Sequence, residues 1–235
     1  MIPLRDENPT RTTPYIVYIL VAVNVLVYLY NGSLGPHSHN PLAGFELVPA
    51  RLVSGRDLAA SPVAPWLTIF TSMFMHANLL HVGGNMLYLW IFGNNIEDVL
   101  GHFKFLVFYL LAGVAAALAQ VYANPSATIP MVGASGAIAG VLGAYLVLFP
   151  RARIISLVIL VFFIQVTALP ASIVLGFWII LQVINSALMA GGHGGGVAYM
   201  AHIGGFVAGI VMIYLLGGGR LLRGRRPAEY RRYRW

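Results

Sequence analysis

The sequence predicts an all-α polytopic membrane protein: six transmembrane helices with both termini on the cytoplasmic side. Three observations carry that reading. Hydrophobic residues fill 59% of the 235 positions, and the mean hydropathy is +0.80. Only 9% of residues are charged, against about a quarter in an ordinary soluble domain. Apolar runs recur along the whole chain, many near the ~20 residues that a helix needs to cross a bilayer.

Residues 1–13, "MIPLRDENPTRTT", are polar and form a cytoplasmic N-terminal segment. The apolar stretch that follows has no A-x-A-like cleavage site, so the first span is expected to be retained rather than removed as a signal peptide. Spans fall at about 14–31, 77–95, 103–122, 135–149, 170–188 and 199–217, so that 14–217 is one membrane domain and 218–235 a basic cytoplasmic tail. The long loop between the first two spans is punctuated by Gly and Pro. Its apolar patches, "LVPARLV" and "PWLTIFTSMFM", place it against the membrane surface.

A seventh apolar run, 154–169, decides the topology. If it crossed, the tail with seven of the fourteen basic residues would face outward, against the preference of Lys and Arg for the cytoplasmic side. If it does not cross, Arg5, Arg11, Lys104, Arg151, Arg153 and the tail lie inside, with only Arg51 and Arg56 outside. Six spans follow. The extra run is then interfacial or re-entrant, or it lengthens the fifth helix; its β-branched residues and Pro170 favour a break. Charge placed this way reads as an anchor at an anionic leaflet, not as a nucleic-acid surface. With no cysteine in the chain, disulfides and thiolate chemistry are excluded.

Six-span topology brings four polar groups to one depth near the outer surface. Ser135 opens the fourth span within "MVGASGAIAG", and His202 in "YMAHIGG" lies one turn into the sixth. His81 and Asn85, four apart, share a face of the second. Taken singly, each has a structural explanation: Ser135 as a helix cap, His202 as a bridge between helices, Asn85 as interhelical glue like Asn24. A histidine inside a membrane is nonetheless functional by default, and the set together outweighs the single explanations. Gly136 and Gly140 on the fourth span, and Ala201, Gly205 and Gly209 on the sixth, make facing stripes of small residues that let the two helices approach closely. An imidazole on one then reaches a hydroxyl on the other.

No acid lies near the outer ends of these helices, which leaves a Ser–His dyad rather than a triad. His202 would serve as base toward Ser135 and then as acid toward the leaving amine. Free N–H groups at the start of the fourth helix, with His81 and Asn85, would form an oxyanion hole. A metal hydrolase using His76, His81 and His202 is disfavoured, because there is no H-E-x-x-H and no carboxylate at that depth. "GASGA" also lacks the last glycine of the G-x-S-x-G elbow. His193, in "GGHGGG", reads as a loop residue. A transporter would call for intramembrane carboxylates and repeat halves that the chain lacks.

The ordered set "HANLLHVGGNMLYLWIFGNNIED", "GHFKFLVFYLLAG", "GASGAIAG" and "AHIGG" resembles the rhomboid intramembrane serine proteases, of the bacterial six-span type. The resemblance runs from about Trp66 to Gly209. It implies a rhomboid fold, with Ser135 as nucleophile in the G-x-S-G motif Gly133–Gly136 and His202 as general base. His81 and Asn85 join the backbone N–H of Ser135 in the oxyanion hole, and His76 organises the first loop. Gly133, Gly136 and Gly205 support the site. The resemblance further implies substrates that are membrane proteins with a transmembrane segment, no cofactor or metal, and a multi-pass location in a bacterial inner (plasma) membrane. Its alternative is a non-catalytic rhomboid-fold protein that binds transmembrane clients. Two departures stand out. Trp66 is followed by Leu67 where many members have Arg, and Ala139 occupies the position of an aromatic that often supports the imidazole, so another residue must hold His202. Residues 191–196 are a candidate mobile cap beside the substrate path.

Overall fold

A computed structural model describes residues 1–33, 42–55, 62–160, 163–189 and 197–225. The molecule is mostly helical. Long helices occupy the six segments expected to span: α1 (Tyr15–Ser33), α4 (Leu79–Leu100), α5 (His102–Ala123), α6 (Ser135–Leu148), α7 (Ala171–Met189) and α8 (Tyr199–Leu215). Two short helices, α2 (Pro49–Ser54) and α3 (Thr68–Thr71), lie in the first long loop, and α9 (Gly218–Arg225) begins the basic tail. By length and composition, Tyr15–Gly32, His102–Ala123 and Ala171–Leu188 are each sufficient to cross a membrane, whereas α6 and α8 are apolar but shorter.

The chain is not all-α. Residues 154–160 and 163–169 do not lengthen the fifth helix; they pair as antiparallel strands of a hairpin, β2 (Arg153–Leu160) with β3 (Phe163–Pro170), in register from Arg153 opposite Pro170 to Leu160 opposite Phe163. The N-terminal segment supplies a third strand, β1 (Ile2–Asp6), which pairs with β2 in the order β1-β2-β3. The physical reason is the density of β-branched residues: Ile154, Ile155, Val158, Ile159, Ile164, Val166 and Thr167 lose more χ1 freedom in a helix than on a pleated strand. Pro170 ends the hairpin, and α7 starts at the next residue.

Helix α6 is the axis of the packing. Ala139, Val141, Leu142, Ala144 and Tyr145 are fully buried, surrounded by α4, α5 and α8. The approach of α6 to α8 depends on missing side chains. A Cβ on Gly205 would collide with the Gly136 carbonyl oxygen, one on Gly209 with that of Gly140, and one on Gly143 with that of Phe206.

The opposite end of α4 carries the acids. Fully buried Glu97 accepts from the backbone N–H of Ile16 at 2.9 Å and of Val17 at 2.8 Å, capping the free donors at the start of α1. Asp98 accepts from the N–H of Thr12 at 2.9 Å and its hydroxyl at 2.6 Å. The Tyr145 hydroxyl donates to Asp6 at 2.8 Å, joining β1 to α6. Burial outweighs that hydrogen bond and raises the Asp6 carboxyl to about 6.

The first loop is held from within. Buried Arg51 donates to the carbonyls of Gly44 at 3.1 Å and Val63 at 2.8 Å. Leu47 pairs with Met131, its N–H donating at 3.2 Å and its carbonyl accepting at 2.7 Å, which ties this loop to the segment leading into Ser135. Trp66 stays exposed.

Candidate active site

Ser135 is the first residue of α6, and His202 stands in the first turn of α8. Each is positioned by backbone contacts outside its own helix. The Gly133 N–H donates to the Ser72 carbonyl at 2.9 Å, and the Ala201 N–H donates to Gln120 Oε1 on α5 at 3.2 Å. With α6 and α8 in glycine-to-carbonyl contact, His202 Nε2 lies 2.8 Å from Ser135 Oγ. That distance is a hydrogen bond.

Gly133 turns the chain into α6 with φ +124°, and a Cβ there would sit 2.7 Å from His81 Nε2. Two reasons therefore require glycine: the positive φ and the imidazole pressed against it. Beyond that ring, the nearest atom is Asn85 Nδ2, 3.5 Å from the imagined Cβ; it is buried and has no hydrogen-bond partner among the described residues. Thus His81 and Asn85 both point at the turn immediately before Ser135. Asn78 caps α4, accepting from the His81 N–H at 2.9 Å. His76 is buried with its ring edge-on to His81, centroids 5.0 Å apart.

Ser135, His202, His81, Asn85 and Gly133 line a cavity of about 600 Å³ that also takes in Met73, Trp178 and Ala201. Gly136 lines the cavity as well, and with Gly205 it sets the spacing of α6 and α8. Among the described residues, no three His, Cys, Asp or Glu side chains converge in the manner of a metal site. The expected cap at 191–196 and His193 lie outside the described residues.

Sequence reasoning missed two neighbours of His202, both on α7. Gln182 Oε1 is 2.8 Å from His202 Nδ1, and the Trp178 ring lies against the imidazole with centroids 5.7 Å apart. Ala139 offers no aromatic support beneath the ring, and α7 supplies support from another direction. The signal for Gln182 was an amide following the unbroken apolar run 173–181, where a polar side chain needs a partner.

Comparison with known proteins gives a consistent set. A family model described as a Rhomboid domain matches residues 64–219. The mitochondrial Rhomboid protein 1 of Saccharomyces cerevisiae is 32% identical over 151 residues, 62% of this chain and 40% of that protein. Rhomboid protease GluP of Bacillus subtilis is 30% identical over 134 residues, covering 57% of this chain and 24% of its own length. The chloroplastic Rhomboid-like protein 11 of Arabidopsis thaliana is 29% identical, covering 64% and 52%. The chain therefore spans between about a quarter and about half of the length of these relatives.

Proposed function

The chain belongs to the rhomboid family, its domain covering most of the sequence, and on that premise we propose that it is an intramembrane serine endopeptidase working through a Ser135–His202 dyad. The observation that carries this reading is the 2.8 Å contact of His202 Nε2 with Ser135 Oγ, reached only because α6 and α8 meet through glycines. In the proposed reaction, Ser135 Oγ attacks the scissile carbonyl carbon while His202 Nε2 takes its proton. The resulting oxyanion is received by the Ser135 backbone N–H, Asn85 Nδ2 and His81. His202 returns the proton to the leaving amine, and the C–N bond breaks to leave an acyl ester on Ser135. Water, deprotonated by His202, then attacks that ester and releases the carboxylate and the serine.

The proposed substrates are membrane proteins cut in or near a transmembrane segment. In the same reading, α1, α4, α5, α6, α7 and α8 are six spans with both termini cytoplasmic, and residues 14–217 are the catalytic membrane domain between a short N-terminal segment and a basic tail. The proposed site of action is a bacterial plasma membrane; the basic residues on the inner side and the relative from Bacillus subtilis support it. The test is fluorophosphonate labelling of the detergent-solubilised protein, with cleavage of a single-span model substrate in parallel. Wild type should label and cut, while Ser135→Ala and His202→Ala should do neither. A wild type that is inert under several lipid conditions would replace this reading with that of a client-binding protein.

A further inference from the structure

We infer that Gln182 is a positioning residue for His202, whose side-chain carbonyl holds the imidazole in the Nδ1–H tautomer and so leaves Nε2 bare to receive the Ser135 proton. This deepens the proteolytic reading and rests on it. The orientation of the amide is set by its own helix. Gln182 Nε2 donates to the Trp178 carbonyl, one turn earlier, at 3.3 Å, so the amide nitrogen is turned to the backbone and Oε1 faces His202 at 2.8 Å. A carbonyl oxygen has no proton to give, so Nδ1 is the donor. A neutral imidazole protonated on Nδ1 carries its free lone pair on Nε2, and that nitrogen is the one 2.8 Å from Ser135 Oγ. The opposite tautomer would set a ring lone pair against the Gln182 oxygen and remove the acceptor from Ser135.

The same contact acts during proton transfer. As Nε2 gains a proton, positive charge spreads over the ring, and the negative end of the amide dipole already points at Nδ1–H. A carboxylate would bind that charge more strongly, but it would place an ion within the apolar helix α7. No carboxylate is hydrogen-bonded to His202 among the described residues. The neutral amide takes the place that an acid occupies in a triad.

The test compares Gln182→Met, which keeps the length and apolar bulk but has no acceptor oxygen, with Gln182→Glu, which keeps one. The full chain in detergent is labelled with 15N at histidine, and the His202 signals are assigned by their loss in His202→Ala. Wild type and Gln182→Glu are expected to show His202 protonated at Nδ1, and Gln182→Met to shift toward the Nε2–H form. Fluorophosphonate labelling and kcat should fall about tenfold in Gln182→Met, the worth of one neutral hydrogen bond, with KM unchanged and the rate restored in Gln182→Glu. An unaltered tautomer and labelling rate in Gln182→Met overturns the inference. So does an Nε2–H tautomer in wild type, which settles the question even if the Met variant fails to fold. A wild type that shows the Nδ1–H form but neither labels nor cuts supports the hold of Gln182 on the ring while overturning the protease reading.

Discussion

Gly209 of α8 faces the carbonyl oxygen of Gly140 in α6 with no room for one added carbon between them. Backbone is in contact with backbone, so a neighbouring side chain cannot yield. Gly209→Ala is therefore expected to cost about 3 kcal/mol, the upper range for overpacking, and to abolish Ser135 labelling by spreading the dyad. Gly83→Ala, at a helical glycine with open space around it, should keep or raise stability by up to about 1 kcal/mol. Thermal unfolding in detergent measures both, and an unchanged Gly209→Ala would mean that the helices do not pack this way.

Asn85 offers a buried N–H with no partner among the described residues, beside the turn into Ser135. If it serves the oxyanion, Asn85→Ala should lower kcat by about 100-fold, the usual cost of one such donor. KM should change by no more than about threefold, because the interaction strengthens only as the negative charge forms. Steady-state kinetics on a single-span substrate separates the two. A rise in KM with kcat intact would make Asn85 a substrate-binding residue instead.

Glu97 holds two backbone N–H groups of α1 and lies 2.6 Å from His102 Nδ1. In Glu97→Gln one oxygen becomes an NH2 that confronts a donor. A loss of about 2–3 kcal/mol is expected from the charge-assisted bonds broken and the group left unpaired. The unfolding midpoint checks this, and the labelling rate at temperatures well below that midpoint should stay near wild type.

Asp6 gives the fold a pH dependence with a definite sign. Its carboxyl is raised from 3.8 to about 6 by burial, so between these values the folded chain binds a proton that the unfolded chain has released. Stability from this group is complete below about pH 4 and is lost as pH rises through about 6. Discounted for partial exposure, the change amounts to about 1–2 kcal/mol. Unfolding of wild type and Asp6→Asn at pH 4.5 and 7 should show this difference in wild type alone, since asparagine still accepts from Tyr145 but does not titrate.

The helical skeleton was legible because long apolar runs and small-residue spacing are local signals. The intervals between Gly136, Gly140, Gly205 and Gly209 suffice to predict close approach of two helices, and the structure shows that approach. The hairpin was not legible, because an apolar run of sixteen residues, 154–169, satisfies both a buried helix and a pair of strands; only its β-branched content hinted at the answer. The partners of Glu97 and Asp98 were not legible either, since most of them are backbone N–H groups some eighty residues away and backbone donors have no sequence signature. Gln182 escaped for a related reason. A single amide in an apolar helix announces a partner but does not say which one.

The pairing of β1 with β2 has a consequence in time. Residues 2–6 emerge from the ribosome roughly 150 positions ahead of the strand they pair with. At about 5–20 residues per second, that is a wait of roughly 8–30 s. The clasp of Asp98 and Glu97 on residues 11–17 can close much sooner, as soon as the end of α4 exists. The first strand translated is thus among the last parts to find its place, and a nascent chain arrested before residue 153 would hold its beginning without the sheet, by those two acids, the Asn8–Asn95 pair and the Tyr145–Asp6 bond.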